Sequence, residues 1–298
     1  MKIGVITITY NSKIVMHDFL SSLFAQTYTN WHLYIYENGS PNKIDHVLND
    51  YTPDKYTYID LCQNLGFAKA NNLAIQQAFK DNCDCILLIN NDTIFDINLF
   101  QGLFDKLNQH NALVIAPKML YYPEKNIVWY GGGYFDARQA LKNVHIGIGK
   151  FDDGSYNASS WQDFAPMCCV LITKDAIKIN GYLDEDYFIY YEDADWMYRL
   201  KLKNIQVWYE PSLVLYHKVS SLTGGVNSSF AIYHATQGKI LFIKKFYRGY
   251  KKYYWLSKYF LGFAFGILLG RYGIIEGKYK FKAFFDIIMT NNSGYYKK

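Results

Sequence analysis

Apolar and polar positions follow two alternating periods over the first hundred residues. Residues 3–9 form an almost unbroken apolar run, and Cys85-Ile86-Leu87-Leu88-Ile89 forms another. Runs of this length with polar punctuation on either side suit strands covered on both faces, as in a parallel α/β sheet. Residues 31–36 and 56–61 read as two more strands. Between the strands the period becomes helical. Asn11 and Ser12 break the first run and can cap a helix over 14–25. A polar helix is expected over 43–51 and another over about 96–107. Ala70, Leu73, Ala74 and Ala78 recur at helical spacing and place a helix over 67–79. Strand and helix alternating from residue 3 to residue 107 predict a parallel, doubly wound sheet.

The alternation stops after Val114-Ile115-Ala116-Pro117. Residues 118–165 are rich in Tyr, Gly and Asp, with Gly131-Gly132-Gly133 in the middle, and are expected to form irregular strands and loops. A core strand is expected at 170–172, a short helix over 174–179 and a longer helix over 192–203. The last of these carries acids in its first turn and bases in its last, as the helix dipole prefers. Strands over 205–209 and 213–216 lead to His217.

Chemistry is expected where the strands end, because ligands of such sheets gather at the carboxyl ends. The 85–89 run stops in Asn90-Asn91-Asp92, which puts Asp92 where a metal or a phosphate would be held. An Asx turn explains the same residues taken alone. Glu37 opens the turn Glu37-Asn38-Gly39-Ser40-Pro41, where a solvated turn acid is an equal reading. Asn64-Leu65-Gly66 puts a helix N-terminus beside the site, a natural neighbour for an anion or simply a cap. Glu192 and Asp193 follow an aromatic stretch, residues 187–191, suited to lining a ligand pocket. Asp195 lies four residues before Arg199 and can pair with it structurally.

Composition narrows the class. The chain has 298 residues, half of them hydrophobic, and 29 tyrosines, which is enough for one large α/β domain with an appendage. Cys62, Cys83, Cys85, Cys168 and Cys169 give neither zinc spacing nor a disulfide framework, so buried thiols in a reducing cytoplasmic protein are expected. The chain enters its first strand pattern at once, and no signal peptide is expected ahead of it. The net charge of +5 conceals an asymmetry: residues 1–238 carry a net of −6 and residues 239–298 a net of +11.

Several separated motifs now stand in order. They are Thr7-Ile8-Thr9-Tyr10-Asn11, Glu37-Asn38-Gly39-Ser40, Asn64-Leu65-Gly66-Phe67-Ala68, Asn90-Asn91-Asp92-Thr93, Gly181-Tyr182-Leu183-Asp184-Glu185, Glu192-Asp193-Ala194-Asp195 and His217. Together they resemble the family-2 glycosyltransferases of the GT-A fold, especially the bacterial rhamnosyltransferase-like branch, over residues 3 to about 225. The resemblance implies an inverting sugar transferase with a mostly parallel, Rossmann-like sheet and helices on both faces. It implies a divalent metal, Mn²⁺ or Mg²⁺, held by Asp92 with His217. Asn90 stands where the family's first acid often lies, which leaves one carboxylate fewer. It implies that Thr9, Tyr10, Asn11, Glu37, Asn64, Gly66, Asn91 and Asp92 bind the nucleotide-sugar, and that Asp193 is the general base with Glu192 beside it. The donor is expected to be dTDP-rhamnose or a UDP-sugar, and the acceptor a polyprenyl-linked surface polysaccharide. Two rivals are a non-catalytic nucleotide- or sugar-binding protein and a nucleotidyltransferase. The latter usually has a Gly-rich, Arg-containing loop after the first strand, where this chain has Thr9-Tyr10-Asn11-Ser12.

The tail differs in kind. Residues 239–258 hold seven bases and no acids among many aromatic residues, and residues 259–270 are uncharged and apolar. Twelve residues fall short of the ~20 needed to span a bilayer. They suit an interfacial segment on the anionic inner face of the cell membrane, favoured over nucleic acid because a lipid-linked acceptor is expected. Packing on the body or a homodimer seam is the structural alternative. The expected organisation is a domain over 1–238, split at 117 into donor and acceptor halves, and a helical membrane-associating region over 239–298.

Overall fold

The computed structural model describes residues 1–219 and 228–289. Its strands are β1 (Ile3–Thr9), β2 (Trp31–Glu37), β3 (Tyr56–Asp60), β4 (Cys85–Ile89), β5 (Thr93–Phe95), β6 (Val114–Tyr121), β7 (Val128–Tyr130), β8 (Gly133–Asp136), β9 (Lys142–His145), β10 (Ser160–Gln162), β11 (Cys169–Thr173) and β12 (Val207–His217). Its helices are α1 (Lys13–Phe24), α2 (Phe67–Lys80), α3 (Leu99–Gln109), α4 (Lys174–Asn180), α5 (Glu192–Lys201), α6 (Ser229–Phe246), α7 (Gly249–Leu268) and α8 (Ile274–Met289).

One ten-stranded sheet runs in the order β10-β12-β6-β11-β4-β1-β2-β3, with β5 added to β12 and β7 to β6. Strands β4, β1, β2 and β3 are mutually parallel. Strand β11 is antiparallel to both β4 and β6. The crossovers leave β1 for β2 on one side and for β4 on the other, so a crevice opens at the carboxyl ends of β1 and β4. The apolar runs read from the sequence are the interior strands: Ile3, Val5, Leu33, Ile35, Leu87 and Leu171 are all fully buried. Each such side chain contributes roughly 1.5–3 kcal/mol by leaving water. Helix α2 packs on β1, β2 and β4, and α3 packs on β6 and β12.

The structure departs from the sequence expectation in several places. The two strands expected over 205–216 are one strand, β12, with a register shift between Glu210 and Val214. Pro211 sits in the shift, where its missing N–H costs no ladder bond. Its neighbour Glu210 accepts hydrogen bonds from the Ser212 hydroxyl at 2.7 Å and the Ser212 N–H at 3.3 Å. The polar helix expected over 43–51 is a short 3₁₀ helix, Asp45–Asp50. Residues 93–95 form β5 instead of leading directly into a helix. Cys62 is exposed and is the exception to the expected buried thiols; the other four cysteines are buried and all five are free.

The C-terminal region is helical, as expected. Its first helix is shared with the body: α6 runs unbroken through residue 238, where the sequence suggests a boundary. Phe242 on α6 is fully buried against Phe135, Tyr198 and Tyr191. A second small core joins Ile240 and Ile243 of α6 to Leu256 of α7 and Ile287 of α8. Among the described residues no helix is long and apolar enough to cross a membrane.

Candidate active site

The crevice at the carboxyl ends of β1 and β4 is a cleft of about 540 Å³. Asp92 enters it because β4 ends in a turn, in which the Thr93 hydroxyl donates to the Asn90 carbonyl at 2.6 Å. Asn91 is tied inward, its amide donating to the Ile8 carbonyl at 2.8 Å and the Thr7 hydroxyl at 3.3 Å. It therefore locks the end of β4 to the end of β1. Strand β5 then pairs antiparallel with β12 and sets Thr93 opposite His217. The Lys218 N–H closes the ladder on the Asp92 carbonyl at 2.8 Å. Two residues 125 positions apart in sequence are thereby brought together: His217 Nε2 lies 3.1 Å from Asp92 Oδ1, both side chains being buried. Trp129 stands edge-on to the His217 ring, with centroids 4.4 Å apart.

The geometry of this pair bears on a metal. Two ligands about 2.1 Å from an octahedral cation and at right angles to each other are about 3 Å apart. The Asp92–His217 spacing of 3.1 Å meets that requirement. A carboxylate and an imidazole are both ligands of Mn²⁺-like cations. Among the described residues no group of three or more His, Cys, Asp and Glu is assembled, so the protein offers a pair of ligands rather than a closed cage.

The opposite wall carries the acids of α5. The helix starts after Tyr190 (φ 67°) and Tyr191 (φ 74°), two consecutive non-glycine residues in the left-handed region. Each costs on the order of 1–3 kcal/mol and holds only where its surroundings enforce it. Gly238 of α6 supplies that enforcement: a Cβ there would sit 2.8 Å from the Tyr190 carbonyl oxygen, so only glycine lets the helix close on the turn. Glu192 is buried and Asp193 half-buried, and both line the cleft. Burial pushes the Asp193 carboxyl up to about 6, against a hydrogen bond from the Ala194 N–H at 2.6 Å that favours its charged form. Burial, and then the Asp193 charge, raise the Glu192 carboxyl well above the usual range. Glu192 Oε2 has no hydrogen-bond partner among the described residues. Burial and proximity therefore disfavour ionising both carboxyls of the pair at once.

Asp195 faces away from this chemistry. It is fully buried, pairs with Arg199 Nε at 2.7 Å and with Lys245 of α6 at 2.5 Å, and so ties α5 to the C-terminal helices. The i,i+4 partner read from the sequence is present.

The remaining candidates divide. Tyr10, Asn64, Gly66, Asn91 and Asp92 line the cleft. Gly66 has φ 82°, and a Cβ on it would meet the Phe188 carbonyl oxygen at 2.6 Å. The N–H of Phe67, which opens α2, donates to that same carbonyl at 2.6 Å. Glu37, Thr9 and Asn11 are not among the lining residues. Glu37 is fully buried and accepts from the Ser40 hydroxyl and from the Ile44 N–H at 3.3 Å, so it holds the turn after β2. Thr9 is also fully buried, its hydroxyl donating to the Tyr36 carbonyl at 3.4 Å. The Asn11 N–H is held by Ser40 Oγ at 2.8 Å.

Sequence reasoning missed several cleft residues. Asn38 donates to Asn64 Oδ1 at 3.0 Å and accepts from the Leu65 N–H at 2.8 Å, joining the turn after β2 to the start of α2. It stood next to Glu37 in a motif already singled out. Trp129, Met167, Cys168 and Phe230 also line the cleft. The first three come from stretches without a clear period, and Phe230 from α6.

Comparison with known proteins identifies the family and the fold. Residues 4–170 match the family model for glycosyl transferase family 2. The chain belongs to that family. The dTDP-rhamnosyl transferase RfbF of Shigella flexneri is 24% identical over 220 residues, 68% of this chain and 69% of the relative. The low-salt glycan biosynthesis hexosyltransferase Agl10 of Haloferax volcanii is 25% identical over 158 residues, 52% of this chain. That match spans only 49% of the Haloferax protein. Among solved structures, S. aureus TarS 1-349 in complex with UDP-GlcNAc superposes with a TM-score of 0.62 at 16% identity, over 97% of this chain and 81% of that one. The larger TarS crystal structure is matched over 50% of its length. Mannosyltransferase PcManGT from Pyrobaculum calidifontis, in complex with GDP-Man and Mn²⁺, gives 0.60 at 11% identity over 98% and 88% of the two chains. At these identities the structural likeness establishes the GT-A fold.

Proposed function

We propose that this chain transfers one sugar, with inversion, from a nucleotide-diphosphate donor to a hydroxyl of a polyprenyl-linked surface polysaccharide intermediate. The observation that carries the reading is one cleft with the Asp92–His217 pair on one wall and the Glu192–Asp193 pair on the other. The likeness to a dTDP-rhamnosyl transferase favours dTDP-rhamnose as donor, with UDP-sugars the next choice. The reaction divides between the two walls. Asp92 and His217 would hold Mn²⁺ or Mg²⁺, which when bound neutralises the charge of the leaving diphosphate. Asn64, Gly66 and Tyr10 shape the donor side, and Phe188, Ile189 and Tyr190 exclude water. Asp193 accepts the proton of the acceptor hydroxyl as that oxygen attacks the anomeric carbon. The carbon–oxygen bond to the diphosphate breaks, and its electron pair leaves with the nucleotide. Glu192, whose carboxyl is held above its usual range by burial and by the Asp193 charge, supports Asp193 electrostatically. The body works at the inner face of the cell membrane, where a lipid-linked acceptor is found, and the region after residue 238 provides the attachment.

A panel of nucleotide sugars with and without Mn²⁺ tests the reading. The matching donor should raise the thermal midpoint in a Mn²⁺-dependent way, and the acceptor should release nucleoside diphosphate. A panel in which no nucleotide sugar shifts the midpoint and none is turned over overturns it.

A further inference from the structure

Helices α7 and α8 form a hairpin whose outer face is unusually apolar. Along α7 the exposed side recurs at helical spacing: Tyr250, Tyr254, Lys258, Leu261, Phe265 and Leu268. The character of this stripe changes from one end to the other. Its first half is tyrosine and lysine, with Tyr250 78% and Tyr254 55% exposed. Its second half is aliphatic and phenylalanine, and it continues around the turn. Leu268 is 79%, Leu269 64%, Ile274 87% and Ile275 70% exposed. Scattered exposed apolar residues need no explanation, but a contiguous set with a basic, aromatic border does.

We infer that this hairpin docks on an anionic bilayer in a tilted pose, with the turn between α7 and α8 entering one leaflet and the tyrosine–lysine half of α7 lying among the headgroups. The inference rests on the proposed membrane-side reaction and specifies its contact. Three observations on the molecule fit it. The charge is complementary, since Arg248, Lys251 and Lys258 are exposed at the start and along the first half of α7 and residues 239–258 hold no acid. The lysines are arranged with aromatic partners, Lys258 lying 4.8 Å from the Trp255 ring centre and Lys252 5.0 Å from that of Tyr253, as amphipathic side chains sit at an interface. The length is right for one leaflet: the uncharged helical residues 259–268 rise about 15 Å, against a hydrocarbon core of about 30 Å. Arg271, at the turn, limits the depth, because its guanidinium must reach back to the headgroups. A shallow notch lined by Tyr247, Tyr250, Lys251, Tyr254 and Trp255 lies on the headgroup side and offers a lysine to a lipid phosphate beside four amphipathic rings suited to the interface.

Flotation of the full chain with vesicles of phosphatidylcholine alone or mixed with phosphatidylglycerol provides the test. The native chain should float with the mixed vesicles and be released by salt, and far less with neutral ones. L269E/I275E should lower vesicle affinity at least about tenfold, in line with the cost of placing charge in a leaflet. Its circular dichroism and melting curve should stay native, because both side chains are exposed. K251E/K258E should weaken binding to anionic vesicles and flatten the salt dependence. Tip variants that bind like the native chain overturn the inference. So does a native chain that ignores anionic vesicles but dimerises in solution through a face that L269E/I275E disrupts. Nucleotide-sugar binding, measured on the same proteins, should be unchanged by either variant. Its loss in the native chain would overturn the proposed reaction without touching the vesicle result.

Discussion

Asp193 carries the sharpest expectation at the scale of a single residue. A sugar hydroxyl is a weak nucleophile at neutral pH, and its deprotonation during attack is worth about 10²- to 10⁴-fold. Asp193→Asn should cut transfer by at least about that factor while leaving donor affinity near native, and Glu192→Gln should cost less. Near-native transfer by Asp193→Asn, or a dead Glu192→Gln with an active Asp193→Asn, would reverse the assignment. Stability supplies an independent readout. The folded protein holds Asp193 at about 6, above the usual carboxylate range, so between about pH 4 and 6 the folded state binds more protons than the unfolded one. The penalty for this buried acid is absent at low pH and full above about pH 6. Asp193→Asn removes it and should raise the melting midpoint at pH 7 by about 2 °C or more, with a smaller rise at pH 4. Transfer by the native chain should fall as the pH drops through about 6. Asp92 is the other residue at issue. Asp92→Ala should remove Mn²⁺-dependent nucleotide binding and most transfer, since one ligand of a two-residue pair remains. Full transfer in excess EDTA would show that no cation is needed.

Among the elements, the start of α2 depends on one conformation. Gly66 holds φ 82° against the Phe188 carbonyl, which also receives the Phe67 N–H. Gly66→Val would combine a left-handed backbone penalty with a collision against main-chain atoms. It should lower the melting midpoint and weaken nucleotide binding together. A variant that melts like the native chain and binds nucleotide normally would show that this close approach is dispensable. The start of α5 is built on the same principle but across elements: Gly238 of α6 admits the Tyr190–Tyr191 turn, and Lys245 of α6 holds Asp195. Helix α6 is thus part of the wall that positions the two acids. It also reaches the cleft through Phe230, and His234 stacks on Phe188 at 5.0 Å.

Over the whole molecule, this makes the boundary testable. Cutting after residue 238 removes Phe242, which is fully buried against the body, and Lys245 with it. Loss of a buried phenylalanine alone costs about 3–5 kcal/mol. A chain ending at residue 247 keeps both and loses only α7, α8 and the small second core. The 1–247 chain should therefore retain a cooperative melt and nucleotide binding, while the 1–238 chain should melt markedly lower or fail to fold. Equal midpoints for the two would mean that α6 contributes nothing to the body. Lys239 belongs to this junction: its ammonium donates to the Ala140 carbonyl at 2.7 Å, and burial lowers its pKa to about 7.

The sequence by itself determined what short-range periodicity and strand-end chemistry can encode. Continuous apolar runs specified β1 and β4, because a strand buried on both faces tolerates few polar residues, and alternation specified β2. The helical spacing of Ala70, Leu73, Ala74 and Ala78 specified α2, and the ordered motifs were enough to identify the family. Asp92 could be singled out because it stands at a strand end, and Asp193 because the family resemblance selects it at a helix start. Only the tertiary structure decided which of the flagged residues share a surface. Thr9 and Glu37 sit in the same motifs as cleft residues but turn inward, since a side chain's direction at a strand end depends on the next turn's hydrogen bonds. Trp129, Met167 and Cys168 were hidden because segments 118–165 and their flanks follow no period, and their positions come from long-range pairing. The length of β12 and the reach of α6 into the body had the same cause: a bulge at Pro211 and a buried Phe242 are settled by neighbours far away in sequence, which local patterning does not contain.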